Sequence, residues 1–261
     1  MPITISALYR YPVKGLSAEP LARVALAPKE CLPQDRRFAI ALSSTSFDSQ
    51  RPQWLTKTHF AMLMRDEKLA RLHTRFDAES GVFTAEQNGT VVLSGKLTEP
   101  AGRERAGRFF TDFLGASVAE PLQIVEAPGH AFADARPRAH ASTDKYVSLI
   151  NLASIRALER AMGSAVTPLR FRANLYFDGA PGWAELDWLG REIAIGAAAR
   201  LRVVSEITRC AATEVNPDTA ERDLDVTGSL ERHFGHRVMG VYAEVLGGGE
   251  IGVGDALVAT S

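Results

Sequence analysis

VFTAEQNGTVVLS, residues 82–94, sets two short apolar runs on either side of Asn88-Gly89. Asn-Gly accepts the positive backbone angles of a two-residue turn, so the stretch reads as a β-hairpin. The same punctuation recurs along the chain. Runs rich in Val, Ile, Leu and Phe stand at 3–13, 21–27, 37–42 and 68–76 before the hairpin. Others follow it at 122–126, 145–150, 173–178, 191–195, 200–207, 238–246 and 250–258. So many short strands between turn residues predict a mainly β protein, closed into barrels rather than spread as an open sheet.

Helices are few, which makes the class α+β with β dominant. One follows Asn151, a good N-cap, with Leu152, Ile155, Leu158 and Met162 along one face and Gly163 as the C-terminal stop. A second is expected over 102–114, its stripe formed by Phe109, Phe110, Phe113 and Leu114, and a short third over 228–234. The segment APGHAFADARPRAHAS, 127–142, has no apolar period and reads either as a lid or as an exposed linker. Trp188 is expected in the core. Gly247, Gly248 and Gly249 lie between two β runs and read as a hairpin rather than a phosphate loop.

With 261 residues, 46% of them hydrophobic, the chain can bury one large core or two small ones. A formal net charge of -1 offers no electrostatic footprint for nucleic acid or an anionic membrane, and neither partner is expected. No stretch has the length of an apolar membrane span or the layout of an export signal, which predicts a cytoplasmic protein. The two cysteines, Cys31 and Cys210, are accordingly read as free thiols, Cys31 with a structural role.

The chemistry concentrates in TRCAATEVNPDT, 208–219. Cys210 follows Arg209 directly. A neighbouring guanidinium favours the thiolate, which is the form that binds a soft metal or acts as a nucleophile. A lone cysteine is also commonly a small buried hydrophobe, and the residue alone leaves both readings open. Lys14 in YPVKGL is likewise either solvated at a strand end or aimed at an anion. In RFRAN, 170–174, Arg170 and Arg172 alternate with Phe171, which on a strand would put both guanidinium groups on one face. His233 and His236 stand three apart without a cysteine partner, so no zinc site is expected there.

YPVKGL (11–16), DRRF (35–38), RFRAN (170–174), ELDWLGREIAIG (185–196), TRCAATEVNPDT (208–219) and GVYAEVLGGGEIGVGDAL (240–257), in this order, resemble the MOSC-domain family, and the pattern is close to that of its amidoxime-reducing members. The resemblance implies a MOSC N-terminal β-barrel-like domain over 1–120 and a MOSC β-barrel domain over 121–261. It further implies a molybdenum cofactor, a metal bound by a phosphate-bearing pyranopterin, with Cys210 as the metal's protein ligand and catalytic residue. Carried over residue by residue, the cofactor contacts would be Lys14, Arg36, Lys57, Arg172, Asn174, Thr208 and Arg209. Three positions depart from the pattern. Lys57 stands where relatives have Arg, Ala173 replaces the Pro of FRPN, and Thr208 replaces a Ser.

The activity implied is reduction of N-hydroxylated compounds (amidoximes, hydroxylamines and N-hydroxylated bases) by transfer of their oxygen to reduced molybdenum. Two cysteines cannot hold an iron–sulfur cluster, which needs about four, and the last strand ends close to Ser261, so an external haem, iron–sulfur or flavin donor protein is expected. A molybdenum-cofactor carrier or sulfur-handling protein is the alternative, because fold does not fix function.

Overall fold

The computed structural model describes residues 2–127, 129–135 and 144–259. Its elements follow in the order β1 (Thr4–Arg10), β2 (Glu19–Leu21), β3 (Arg23–Leu26), β4 (Phe38–Leu42), β5 (His73–Phe76), β6 (Val82–Gln87), β7 (Thr90–Lys96), α1 (Pro100–Leu114) and β8 (Leu122–Glu126). Then come β9 (Val147–Asn151), α2 (Leu152–Met162), β10 (Leu175–Asp178), β11 (Glu192–Ile195), β12 (Ala199–Thr208), α3 (Val226–Phe234), β13 (Val238–Gly247), β14 (Gly249–Gly252) and β15 (Leu257–Ala259). The molecule is mainly β, as the strand pattern predicts.

An eight-stranded sheet runs in the order β15-β11-β12-β13-β9-β10-β1-β2. It curls until its ends meet. The Leu257 N–H donates to Ile3 O and the Ile5 N–H to Asp255 O, both at 2.9 Å, so β1 bonds to the approach of β15 and the barrel closes. Closure satisfies edge groups that an open sheet would expose. The interior is filled by side chains from alternate positions, among them Leu149, Phe177, Ile193, Leu201, Val203 and Val241. Along β12 this alternation leaves Arg200 and Arg202 outside while Leu201 and Val203 are buried. Trp188 stacks on Phe177, with ring centres 5.1 Å apart, on the same core.

A second core lies under α1, where Phe38, Ile40, Phe76, Phe83 and Phe110 pack together. The helix rests so closely on β8 that a Cβ at Gly107 would stand 2.7 Å from Leu122 O, which fixes glycine there. Phe109 and Phe113 stack on each other at the half-buried side of α1. The Asn88-Gly89 turn joins β6 to β7 with φ of 52° and 76°, the signature of the primed turns. At α2 the Asn151 carboxamide accepts from Ala153 N at 3.0 Å and Gly163 closes the helix at φ 67°.

The two halves are woven together. β1 pairs with β10, β3 pairs with β14, and β8 pairs with β4. Strand pairing therefore crosses position 120 in both directions: β1 is built into the second barrel, while β8 stays with the first half.

Three local expectations change. Residues 68–76 are not one strand: Glu67–Arg71 is a 3-10 turn and only His73–Phe76 is extended. The buried Asp66 carboxylate accepts from Met62 N at 3.1 Å just ahead of that turn, rewarding a compact local bend over extension. Gly247–Gly249 does not make a hairpin, since β14 pairs with the distant β3 instead of β13. Finally, RFRAN is not a strand. Pro168–Phe171 forms a 3-10 turn and Arg172 adopts a left-handed conformation at φ 53°. Of the segment 127–142, residues 127 and 129–135 are described, and the remainder of that reading lies outside the described residues.

Candidate functional site

Where β12 runs out, Cys210 begins a 3-10 turn, Ala211–Glu214, and its carbonyl accepts from Thr213 N at 3.0 Å and Thr213 Oγ1 at 2.9 Å. The thiol is half-buried. It lies on the wall of a cleft of about 720 Å³ between the two halves of the chain. That volume is in the range of sites that enclose a cofactor-sized molecule. Lys14, Arg36, Lys57, Arg172, Asn174, Thr208, Arg209 and Cys210 all line it. The eight positions span nearly 200 residues of sequence, and the fold brings every one of them to a single cavity.

Lys14 follows the isolated bridge at Val13 and is buried, at 7% exposure. Its ammonium donates to Phe132 O at 3.0 Å and pairs with the exposed carboxylate of Asp134. Burial pushes the Lys14 pKa down, Asp134 pulls it partly back, and Arg36 and Arg172 push it down further. Arg36 sits in the turn before β4 at φ 49°. Burial opposes its charge, but Asp35 and the Tyr11 ring more than compensate, and the guanidinium stays protonated. Of the two arginines in DRRF, it is Arg36 that enters the cleft, while Arg37 turns to Glu126 at 2.7 Å.

Arg172 donates to Leu16 O at 2.7 Å. Its guanidinium lies 4.4 Å from the Tyr11 ring centre and that of Arg36 lies 4.5 Å from the same centre. Two like charges share one ring, which holds them by cation–π attraction. Tyr11 is itself fixed by Oη donation to Ala173 O at 3.2 Å. Where relatives are expected to carry Pro, Ala173 uses an N–H that proline lacks, donating to Tyr176 Oη at 3.1 Å.

Two other expected contacts, Asn174 and Arg209, also brace the frame of the cleft. The Asn174 carboxamide accepts from Ser148 N and Ser148 Oγ at 3.1 and 2.8 Å and donates to Tyr9 O at 3.2 Å, clamping β9, β10 and β1. Arg209 donates through Nε to Met239 O and through Nη1 to Phe171 O, both at 2.8 Å. Those bonds anchor the residue preceding Cys210, and next to Met239 the backbone of Gly240, at φ 82°, runs so close to β9 that a Cβ would stand 2.4 Å from Leu149 O. Arg170 does not join Arg172 on a shared face. It is buried and bonds Asp223 at 2.6 and 2.8 Å and Glu214 O at 3.0 Å, holding the loop beyond Cys210. Thr208 is the exposed last residue of β12. Lys57 is half-buried at the start of the turn Lys57–His59.

Sequence reasoning missed Tyr11, Ser148 and Asp134. Tyr11 stood within a quoted motif and Asp134 within the segment singled out as long and aperiodic, whereas nothing local marks Ser148.

The lining carries six cationic side chains, Lys14, Arg36, Lys57, Arg170, Arg172 and Arg209, against three carboxylates, Asp35, Asp134 and Glu206. Asp134, Asp35 and Asp223 pair with Lys14, Arg36 and Arg170, and among the described residues no carboxylate pairs with Lys57, Arg172 or Arg209, which leaves those three to meet an anion. A thiol at one wall and unbalanced cations around it fit a ligand that joins a soft metal to a phosphate. No cluster of three or more His, Cys, Asp or Glu suited to a metal occurs among the described residues, and no helix there is long and apolar enough to cross a membrane.

Comparison with known proteins gives the family. The MOSC N-terminal beta barrel domain matches residues 2–117 and the MOSC domain matches residues 136–258. The chain belongs to the MOSC-domain family, whose MOSC domain is associated with binding of the molybdenum cofactor. Among solved structures it is similar to the YUAD protein from Bacillus subtilis, at 14% identity over 100% of this chain and 97% of that one, with a TM-score of 0.45. It is also similar to YiiM from Geobacillus stearothermophilus, at 21% identity over 44% of this chain and 54% of that one, with a TM-score of 0.35. No curated protein sequence matches it.

Proposed function

We propose that this protein is a molybdenum-cofactor-dependent reductase of N-hydroxylated compounds, supplied with electrons by a separate donor protein. One observation carries the reading: Cys210 shares a single large cleft with the cationic side chains of Lys14, Arg36 and Arg172. When bound, the cofactor supplies two-electron chemistry able to take an oxygen atom from nitrogen. The chain's own residues do the rest. Cys210 Sγ is the ligand to the metal. Lys14, Arg36 and Arg172 hold the anionic end of the pterin, their charge-assisted bonds being the strong ones. Arg209, Asn174 and Arg170 position the strand ends around Cys210 and leave no main-chain slack there. Lys57 and Thr208 line the same wall, the lysine as a point charge without the planar fork of arginine.

The test is turnover of benzamidoxime by the cofactor-loaded chain. Reduced viologen is expected to support it and NADH alone is not, because no glycine-rich dinucleotide fingerprint follows a strand. NADH dependence returns when a flavin reductase and a small haem or iron–sulfur carrier are added. Full molybdenum loading with no turnover from any donor would replace this reading with that of a cofactor carrier.

A further inference from the structure

A second pocket, of about 150 Å³, lies beside the cleft and shares Gly15, Leu63, Arg170, Arg172 and Ala212 with it. Ala212 is two residues from Cys210. Leu63, Leu69, Ala70 and Leu72 form one wall, from the first half of the chain, and Leu169 and Val215 form the other. Exposed His73 and Asp218 mark its open side. An apolar cavity of roughly this size takes a benzene ring.

The walls are fastened to each other. Arg222 donates to Leu63 O at 3.2 Å, Met64 O at 2.8 Å and Glu67 Oε2 at 3.2 Å on one side, and to Ala211 O at 3.2 Å on the other. The pocket is therefore held open before any ligand arrives, and little ordering cost falls on binding.

We propose that this pocket receives the apolar, ring-sized part of the substrate, so that the protein prefers aryl-substituted N-hydroxylated compounds to small ones. This rests on the reductase reading above. The N–O end of such a molecule reaches the Cys210 cleft past Ala212, while its ring lies between Leu63, Leu69 and Val215. Recognition is by burial of the ring, and the cationic cleft is left to the anionic cofactor.

The test uses the full chain loaded with cofactor, in its oxidised form and without donor, and follows 4-fluorobenzamidoxime binding by fluorine NMR. Ala70→Trp and Leu169→Trp fill the pocket from opposite walls. Each is expected to weaken binding at least tenfold while molybdenum content and thermal midpoint stay at wild-type values. With a donor added, the ratio of kcat/KM for benzamidoxime over acetamidoxime is expected to fall at least tenfold. If one variant does not fold, the other decides. Wild-type binding in a folded variant, or no binding to the wild-type chain, overturns the proposal. Binding that responds as expected in a chain that turns over nothing keeps the pocket and removes the reductase reading instead.

Discussion

The Arg36 guanidinium donates to the main-chain oxygen of Arg172 at 2.8 Å, so a cation from one half of the chain holds the backbone that carries a cation from the other. Both residues have positive φ, 49° and 53°, a conformation that non-glycine residues seldom adopt. Such strain persists only where the surroundings over-determine it, and it gathers at ligand sites. Here the bonds from Arg36 to Arg172 O, from Arg172 to Leu16 O, and the shared Tyr11 ring supply that constraint. The junction between the halves and the anion-facing surface are thus one structure.

Cys210→Ala is expected to abolish turnover with reduced viologen and to change the molybdenum signal while leaving the fold intact. Cys31→Ala should do neither. Burial, with Asp35 next, pushes the Cys31 thiol up to about 12, so at pH 8 it remains protonated and unreactive. Mass spectrometry after iodoacetamide at pH 8 should find Cys31 unmodified. Activity of Cys210→Ala equal to wild type would refute the ligand assignment.

Lys14→Met, Arg36→Gln and Arg172→Gln should each lower cofactor occupancy. A bond to a charged group contributes about 1.5–3 kcal/mol, or roughly ten- to hundredfold in affinity. The arginine variants should also lower the thermal midpoint, since each guanidinium braces a main-chain oxygen. Molybdenum content retained in all three variants counts against the site.

Lys14 gives the ligand-free protein a pH dependence of definite sign. Its folded pKa is lowered by burial, against the partial restoring effect of Asp134. Between that folded value and the unfolded one, roughly 10.4, the unfolded chain binds the extra proton and stability rises with pH. Below the folded value the cost of the buried ammonium is constant. The midpoint of wild type minus that of Lys14→Met should therefore climb toward alkaline pH, and Asp134→Asn should start the climb at lower pH. A difference that stays flat or falls from pH 7 to 10.5 contradicts this.

Asp223→Ala takes both carboxylate oxygens from Arg170, whose side chain is only 2% exposed. The guanidinium keeps Glu214 O at 3.0 Å but loses its counter-charge. Stability should drop by roughly 1–3 kcal/mol, about 2–4 °C per kcal/mol for a chain of this size. The loop beyond Cys210 loosens with it, so molybdenum content should fall as well. Calorimetry and metal analysis of the same preparation check both, and Asp223→Asn should lie between.

The sequence by itself determined what depends on neighbours a few residues apart. The Asn88-Gly89 turn, the Asn151 cap, the Gly163 stop and the alternation along β12 are settled by local backbone preference and side-chain period, and they were legible. So was the order in which the motifs of Lys14, Arg36 and Arg172 precede that of Cys210. Only the tertiary structure decided what depends on distant partners. Arg170-Phe171-Arg172 has a strand's alternation, yet Arg172 turns left-handed because Arg36, 136 positions away, binds its carbonyl. The three glycines at 247–249 have a hairpin's composition, but β14 pairs with β3, whose residues stand more than 200 positions earlier. Asp134 meets Lys14 across 120 positions of sequence, and Ser148 meets Asn174 across 26, only once the chain has folded. Local period fixes which way a side chain faces; which charge or ring it then meets is set by long-range packing, and no local pattern carries that information.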